Sequence, residues 1–114
     1  MRIEGEAQLV RIFVGESDRH EGKPLYQAIV ERARAEGIAG ATVLRGVVGY
    51  GASSRIHTAS VLRLSEDLPM VVELVDRAER IAALLPALDG MVGEGLITLE
   101  KVQVIAYRHG RAPG

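Results

Sequence analysis

Apolar residues fall in two rhythms along this chain, and each change of rhythm marks an element. Between Glu6 and Glu16, Val10, Ile12 and Val14 alternate with Leu9 and Phe13, which predicts a first strand with apolar side chains on both faces. From about Pro24 to Glu36 the spacing changes to three and four. Leu25, Ala28, Ile29 and Ala33 then form the buried stripe of a helix, with Pro24 at its first position and Gly37 as a left-handed stop. The stretch GIAGATVLRGVVGYG, Gly37 to Gly51, organises the middle of the chain. Its Thr42, Val43, Leu44, Val47 and Val48 predict a core strand, which Gly46, Gly49 and Gly51 punctuate.

A polar segment, Ala52 to Asp67, follows that strand, and a stiff strand that delivers a polar loop is a common way to hold a binding site. Within it, TASVLRL alternates weakly and reads as a candidate strand. Alternation returns in LPMVVELVD, with Met70, Val72 and Leu74 facing one way and Val71 and Val75 the other. Asp76 with Glu79 forms a capping-box variant. A second helix runs from about Arg77 to Asp89, burying Ala78, Ile81, Ala82 and Leu85, and Pro86 should kink or restart it. DGMVGEG, Asp89 to Gly95, is a glycine-rich turn. In the last strand, LITLEKVQVIAY, the apolar phase shifts from Ile97 and Leu99 to Val102 and Val104, which predicts a bulge near Glu100.

The predicted order is β-α-β-β-α-β in an α+β chain: one antiparallel sheet with two helices on one face, the ferredoxin-like plan. The 114 residues make a single domain, with a core from about 5 to 110 and a loose tail at 111–114. Two helices cover one face, yet the strands are apolar on both. The other face, mostly Val and Leu, must be buried against further copies, which predicts a closed homo-oligomer.

Composition narrows the function classes. A net charge of −1 gives no long-range pull on nucleic acid or anionic membranes. With no cysteine there are no disulfides and no thiolate metal sites. The N-terminus lacks a signal-peptide core and no apolar run approaches a membrane span, so the expected location is cytoplasmic, without membrane insertion. Gly15 to Lys23 lies between a strand and a helix, as a phosphate-binding loop does. However, its glycines are seven apart where five are required, and Pro24 stands where Ser or Thr should hold magnesium. His20, His57 and His109 have no spacing that suits one metal, and no metal site is expected. No activated nucleophile or apolar carboxylate pair is present, and the chain does not read as an enzyme.

Two clusters carry candidate chemistry. Arg45 lies within the strand among Ala41, Val43 and Val47. It is either an anion ligand or one half of an inter-subunit salt bridge with Glu73 or Glu100. Ser53, Ser54, Arg55 and His57 gather at the root of the polar loop, where a solvated turn with serines capping backbone amides is the plainer reading.

The string GIAGATVLRGVVGYG followed by SSRIH, with DLPMVVELVD and EGLITLEKVQVIAY, resembles the PII-like proteins, and within that superfamily the domain-of-unknown-function one-ninety family. The resemblance runs from about Gly5 to Gly110. It implies a trimer with ligand clefts between subunits, a cleft ligand that is an adenine nucleotide or another phosphate-bearing molecule, and a regulated partner. That partner is a membrane transport protein or another target, contacted through residues 52–67. The site it implies comprises Arg45, Gly49, Gly51, Ser53, Ser54, Arg55 and His57 on one side. On the other are Gly90, Met91, Val92, Gly93 and Gly95 of the glycine-rich turn, with Arg108 beyond the last strand. Gly93 and Gly95 would allow positive φ angles and let successive amides point at one phosphate. Met91 and Val92 would wall a flat ring. This chain departs from the PII pattern at two positions. Leu96 replaces the basic residue after the turn, and Ala106 replaces one of two late arginines, which implies weaker phosphate binding. A second reading is a structural or metal-tolerance trimer resembling the CutA proteins.

Overall fold

A computed structural model describes residues 4–51 and 67–108. The long strand β1 (Gly5–Gly15) is followed by a two-residue pair, β2 (Arg19–His20) and β3 (Lys23–Pro24), and by helix α1 (Leu25–Ala35). Then come β4 (Gly40–Arg45), β5 (Pro69–Asp76), α2 (Ala78–Met91) and β6 (Leu96–Val104). The four long strands form one sheet in the order β4-β5-β1-β6, each antiparallel to its neighbour. Both helices pack on one face of it. Leu25, Ile29 and Ala33 of α1 and Ile81, Leu84 and Leu88 of α2 share a core with Val10, Ile12, Val14, Met70, Val72 and Leu74. The ferredoxin-like α+β plan is therefore present.

The alternation of β1 and β5 and the stripe of α1 are found as predicted: Leu25, Ala28, Ile29 and Ala33 are the buried residues of α1. Pro24 sits one position earlier than expected, as the N-cap, with extended ψ. Gly37 ends the helix at φ 79. Its N–H donates to the Arg34 carbonyl and that of Ile38 to the Ala33 carbonyl, the two bonds of a Schellman stop. The polar loop after β1 holds an unpredicted hairpin. Glu21 and Gly22 both take positive φ in a two-residue turn, the geometry that matches strand twist. Lys23 Nζ reaches Glu31 Oε1 at 2.7 Å and ties this hairpin to α1. The same hydrogen bond holds the Glu31 carboxyl below its ordinary value and the Lys23 ammonium above its own.

Several expectations are corrected. The predicted core strand is an edge strand. β4 ends at Arg45, leaving Val47 and Val48 beyond it and exposed, and only Gly40 and Val43 within it are half-buried. The buried stripe of α2 is Ile81, Leu84 and Leu88, whereas Ala78 and Ala82 are exposed. Alanines at those positions bury little, so the three large side chains set the helix's rotation. Pro86 does not restart the helix, which continues to Met91. Asp76 makes no capping box. It is fully buried, and its carboxylate accepts the Arg77 N–H (2.7 Å) and the Ala39 N–H (2.9 Å), locking the entry of β4 to the end of β5. There is no bulge at Glu100, since β6 pairs with β1 in unbroken register from Gly5–Val104 to Phe13–Leu96. The apolar shift is a change of face: register sets Ile97 and Leu99 beside Ile12 and Val10 on the helix side, and Val102 and Val104 beside Ala7 and Gly5 on the other. The candidate strand at TASVLRL lies outside the described residues.

The face away from the helices is not uniformly apolar. Register places Leu44, Val71, Phe13 and Leu96 in one row across all four strands. The next row is Thr42, Glu73, Arg11 and Thr98. Here Arg11 Nε pairs with Glu73 at 2.9 Å and its Nη1 with Glu100, so the middle of this face is an ion group rather than the Val and Leu expected. At the far end Tyr107 Oη donates to the Ala39 carbonyl at 2.8 Å. The chain beyond β6 thereby spans the sheet to the start of β4, at the end where Ala7 and Leu9 are buried.

Candidate functional site

Among the described residues, those predicted from sequence for the site fall at one end of the sheet, apart from Arg108. β1 and β4 finish there, and β5 and β6 begin there. Arg45 is the last residue of β4, and its Nη2 lies 2.6 Å from Glu16 Oε2. The partners expected for it, Glu73 and Glu100, are taken by Arg11 instead. The chain then leaves the sheet at Gly46, whose N–H donates to the Pro69 carbonyl at 2.7 Å. A side chain at position 46 would place its Cβ 2.7 Å from Pro69 Cγ, so the close strand crossing requires glycine. Gly49 takes φ 155 against the same proline, and Gly49 and Gly51 are exposed. Val47, Val48 and Tyr50 beside them are strongly exposed apolar side chains. Ser53, Ser54, Arg55 and His57 lie outside the described residues, as does nearly all of the 52–67 segment.

The chain returns to the sheet at Asp67. Ser17 donates to Asp67 Oδ1 through its N–H (3.2 Å) and its Oγ (2.7 Å), and the Glu16 N–H donates to the Leu68 carbonyl at 2.8 Å. The turn after β1 therefore touches both feet of the segment between β4 and β5. Sequence reasoning missed Glu16, Ser17 and Asp67. The serine and aspartate just past β1 were the available signal, since both favour side-chain-to-backbone turns.

The glycine-rich turn is shorter than expected. Gly90 and Met91 belong to the last turn of α2 and Val92 caps it, its N–H donating to the Leu88 carbonyl at 2.9 Å. Gly95 has φ 156, and a Cβ there would come within 2.6 Å of the Phe13 carbonyl oxygen. Gly93 is exposed, has no positive φ and has open space where a Cβ would go. One of the two expected close approaches is thus present, and it is made to β1.

Among the described residues, the two candidate loops belong to opposite edges of the sheet. Residues 46–51 leave the β4 edge and 92–95 enter the β6 edge at the same end, three strand spacings apart, or roughly 14 Å. Arg108, exposed beyond β6, lies at the opposite end of the sheet. Among the described residues no group of three or more His, Asp or Glu could hold a metal. Nor is any helix among them long and apolar enough to cross a membrane.

Sheet order and helix placement are those of the ferredoxin-like fold, which PII-like proteins share. Solved structures agree. CPII from Thiomonas intermedia K12, bound to ADP, AMP and acetate, superposes with a TM-score of 0.63 at 12% identity, covering 91% of this chain and 92% of that one. A protein of Thermus thermophilus described as PII-like signaling does so with 0.61 at 18% identity, covering 92% and 94%. At such identity the likeness shows the fold. The chain itself belongs to the DUF190 family (Uncharacterized ACR), whose profile it matches over residues 7–104. A UPF0166 protein of Aquifex aeolicus is 44% identical over 98 residues, 86% of this chain and 92% of that protein. Another, from Methanocaldococcus jannaschii, is 36% identical over 100 residues, 87% and 92%.

Proposed function

We propose that this protein is a PII-like regulatory trimer of the cytoplasm, a binding protein rather than an enzyme. It takes an adenine nucleotide or another phosphate-bearing ligand in a cleft between copies of itself. It reports occupancy through residues 52–67 to a partner, a membrane transport protein or another regulated target. The observation that carries this reading is the placement of two candidate loops at one end of the sheet but on opposite edges. In a closed ring the β4 edge of one copy approaches the β6 edge of the next, and only then do the loops face each other. Related folds support the ligand class, because CPII has been solved with ADP, AMP and bicarbonate. In this chain Arg45 and Arg55 supply charge from one side of the cleft. Met91 and Val92 supply an apolar wall from the other. Leu96 and Ala106 leave the phosphate set poorer in charge than in PII proteins.

Calorimetric titration with ADP and AMP tests the reading. Saturable binding to the wild type is expected, weakened roughly ten-fold or more in Arg55→Ala, as loss of one charge-assisted hydrogen bond implies. Absence of binding at millimolar nucleotide, or binding indifferent to Arg45→Ala and Arg55→Ala, contradicts it.

A further inference from the structure

Glu16 and Ser17 are consecutive, yet they hold opposite feet of the segment between β4 and β5 by different means. Ser17 fixes Asp67 with two hydrogen bonds to one carboxylate oxygen, and Asp67 is held at φ 46, a conformation a non-glycine residue seldom takes. Glu16 holds the other foot through its carboxylate on Arg45 Nη2. That pair is wet: the Arg45 side chain is 55% exposed and that of Glu16 27%. Exposed pairs of this kind are weak, so the carboxylate is easily displaced. Displacing it need not unfold the turn, because the Glu16 N–H is separately bonded to the Leu68 carbonyl at 2.8 Å. A phosphate oxygen offers a guanidinium the same acceptor geometry as a carboxylate, with more charge behind it.

We propose that Glu16 is a built-in competitor for the anionic ligand: its carboxylate occupies Arg45 in the empty protein, and a phosphate group must displace it to bind. The inference rests on the reading that the cleft takes a phosphate-bearing ligand. Binding then exchanges one anion for another on Arg45 and frees the foot at Gly46 from its side-chain tether, while Ser17 keeps the foot at Asp67. Ligand occupancy thereby changes one end of the segment and not the other.

The test is ADP titration of wild type, Glu16→Gln, Arg45→Ala and the double variant. Glu16→Gln keeps the size of the side chain and removes its charge. It should bind ADP more tightly by up to about five-fold, the scale of an exposed ion pair, and the gain should vanish in the Arg45→Ala background. Wild-type binding that Glu16→Gln leaves unchanged or weakens overturns the proposal and leaves the nucleotide reading standing. Absence of ADP binding by both at millimolar concentration overturns the two together.

Discussion

A single methyl group separates the roles of Gly93 and Gly95. At Gly95 it would collide with the backbone of β1, 2.6 Å from the Phe13 oxygen and 3.0 Å from Val92 Cγ1, in a conformation that disfavours any side chain. At Gly93 it would enter open space. Gly95→Ala should therefore cost about 1–3 kcal/mol in urea unfolding, while Gly93→Ala stays within about 0.5 kcal/mol. Equal effects would contradict the geometry. The sequence shows both glycines with equal force, because composition marks a turn without saying which residue faces a neighbouring strand. Arg45 was similarly half legible. A charge among Ala41, Val43 and Val47 plainly needed a partner. Glu16, 29 positions away in sequence, could be named only once register brought the ends of β1 and β4 together.

Elements were most legible where large apolar residues keep one period. The α1 stripe and the β1 and β5 alternation needed no tertiary information. In α2, apolar side chains lie on nearly every side (Ala78, Ile81, Ala82, Leu84, Leu85, Leu88), so period alone leaves the helix's rotation open. The structure chooses Ile81, Leu84 and Leu88 because these fill the space over β1 and β5. Leu84→Ala should cost about 2–5 kcal/mol, the scale of a buried leucine left as a cavity. Ala82→Ser, on the exposed side, should lie within about 0.5 kcal/mol. Chemical denaturation of the two variants decides between the rotations. The β4 strand misled for a related reason. Valines on an edge strand look the same in sequence as valines in a central one, and only the sheet order β4-β5-β1-β6 tells them apart.

At the scale of the whole molecule, one face of the sheet is closed by two helices and the other is left in three zones. One end is buried, the middle is held by Arg11 with Glu73 and Glu100, and the other end presents Leu44, Val71, Phe13 and Leu96. Leu44 and Leu96 in that row are about half exposed, at 49% and 55%. An apolar row spanning four strands beside the candidate loops is suited to burial against other copies. A charge in its centre opposes that burial, so Phe13→Asp should remain folded by circular dichroism yet run as a monomer in light scattering. Whether the proposed ligand site exists only between copies is decided by ADP titration of wild type beside Phe13→Asp. Saturable binding to the assembled wild type and none to the folded monomer is expected. Equal ADP binding by the two, or a wild type that is itself monomeric at micromolar concentration, would contradict a site between copies.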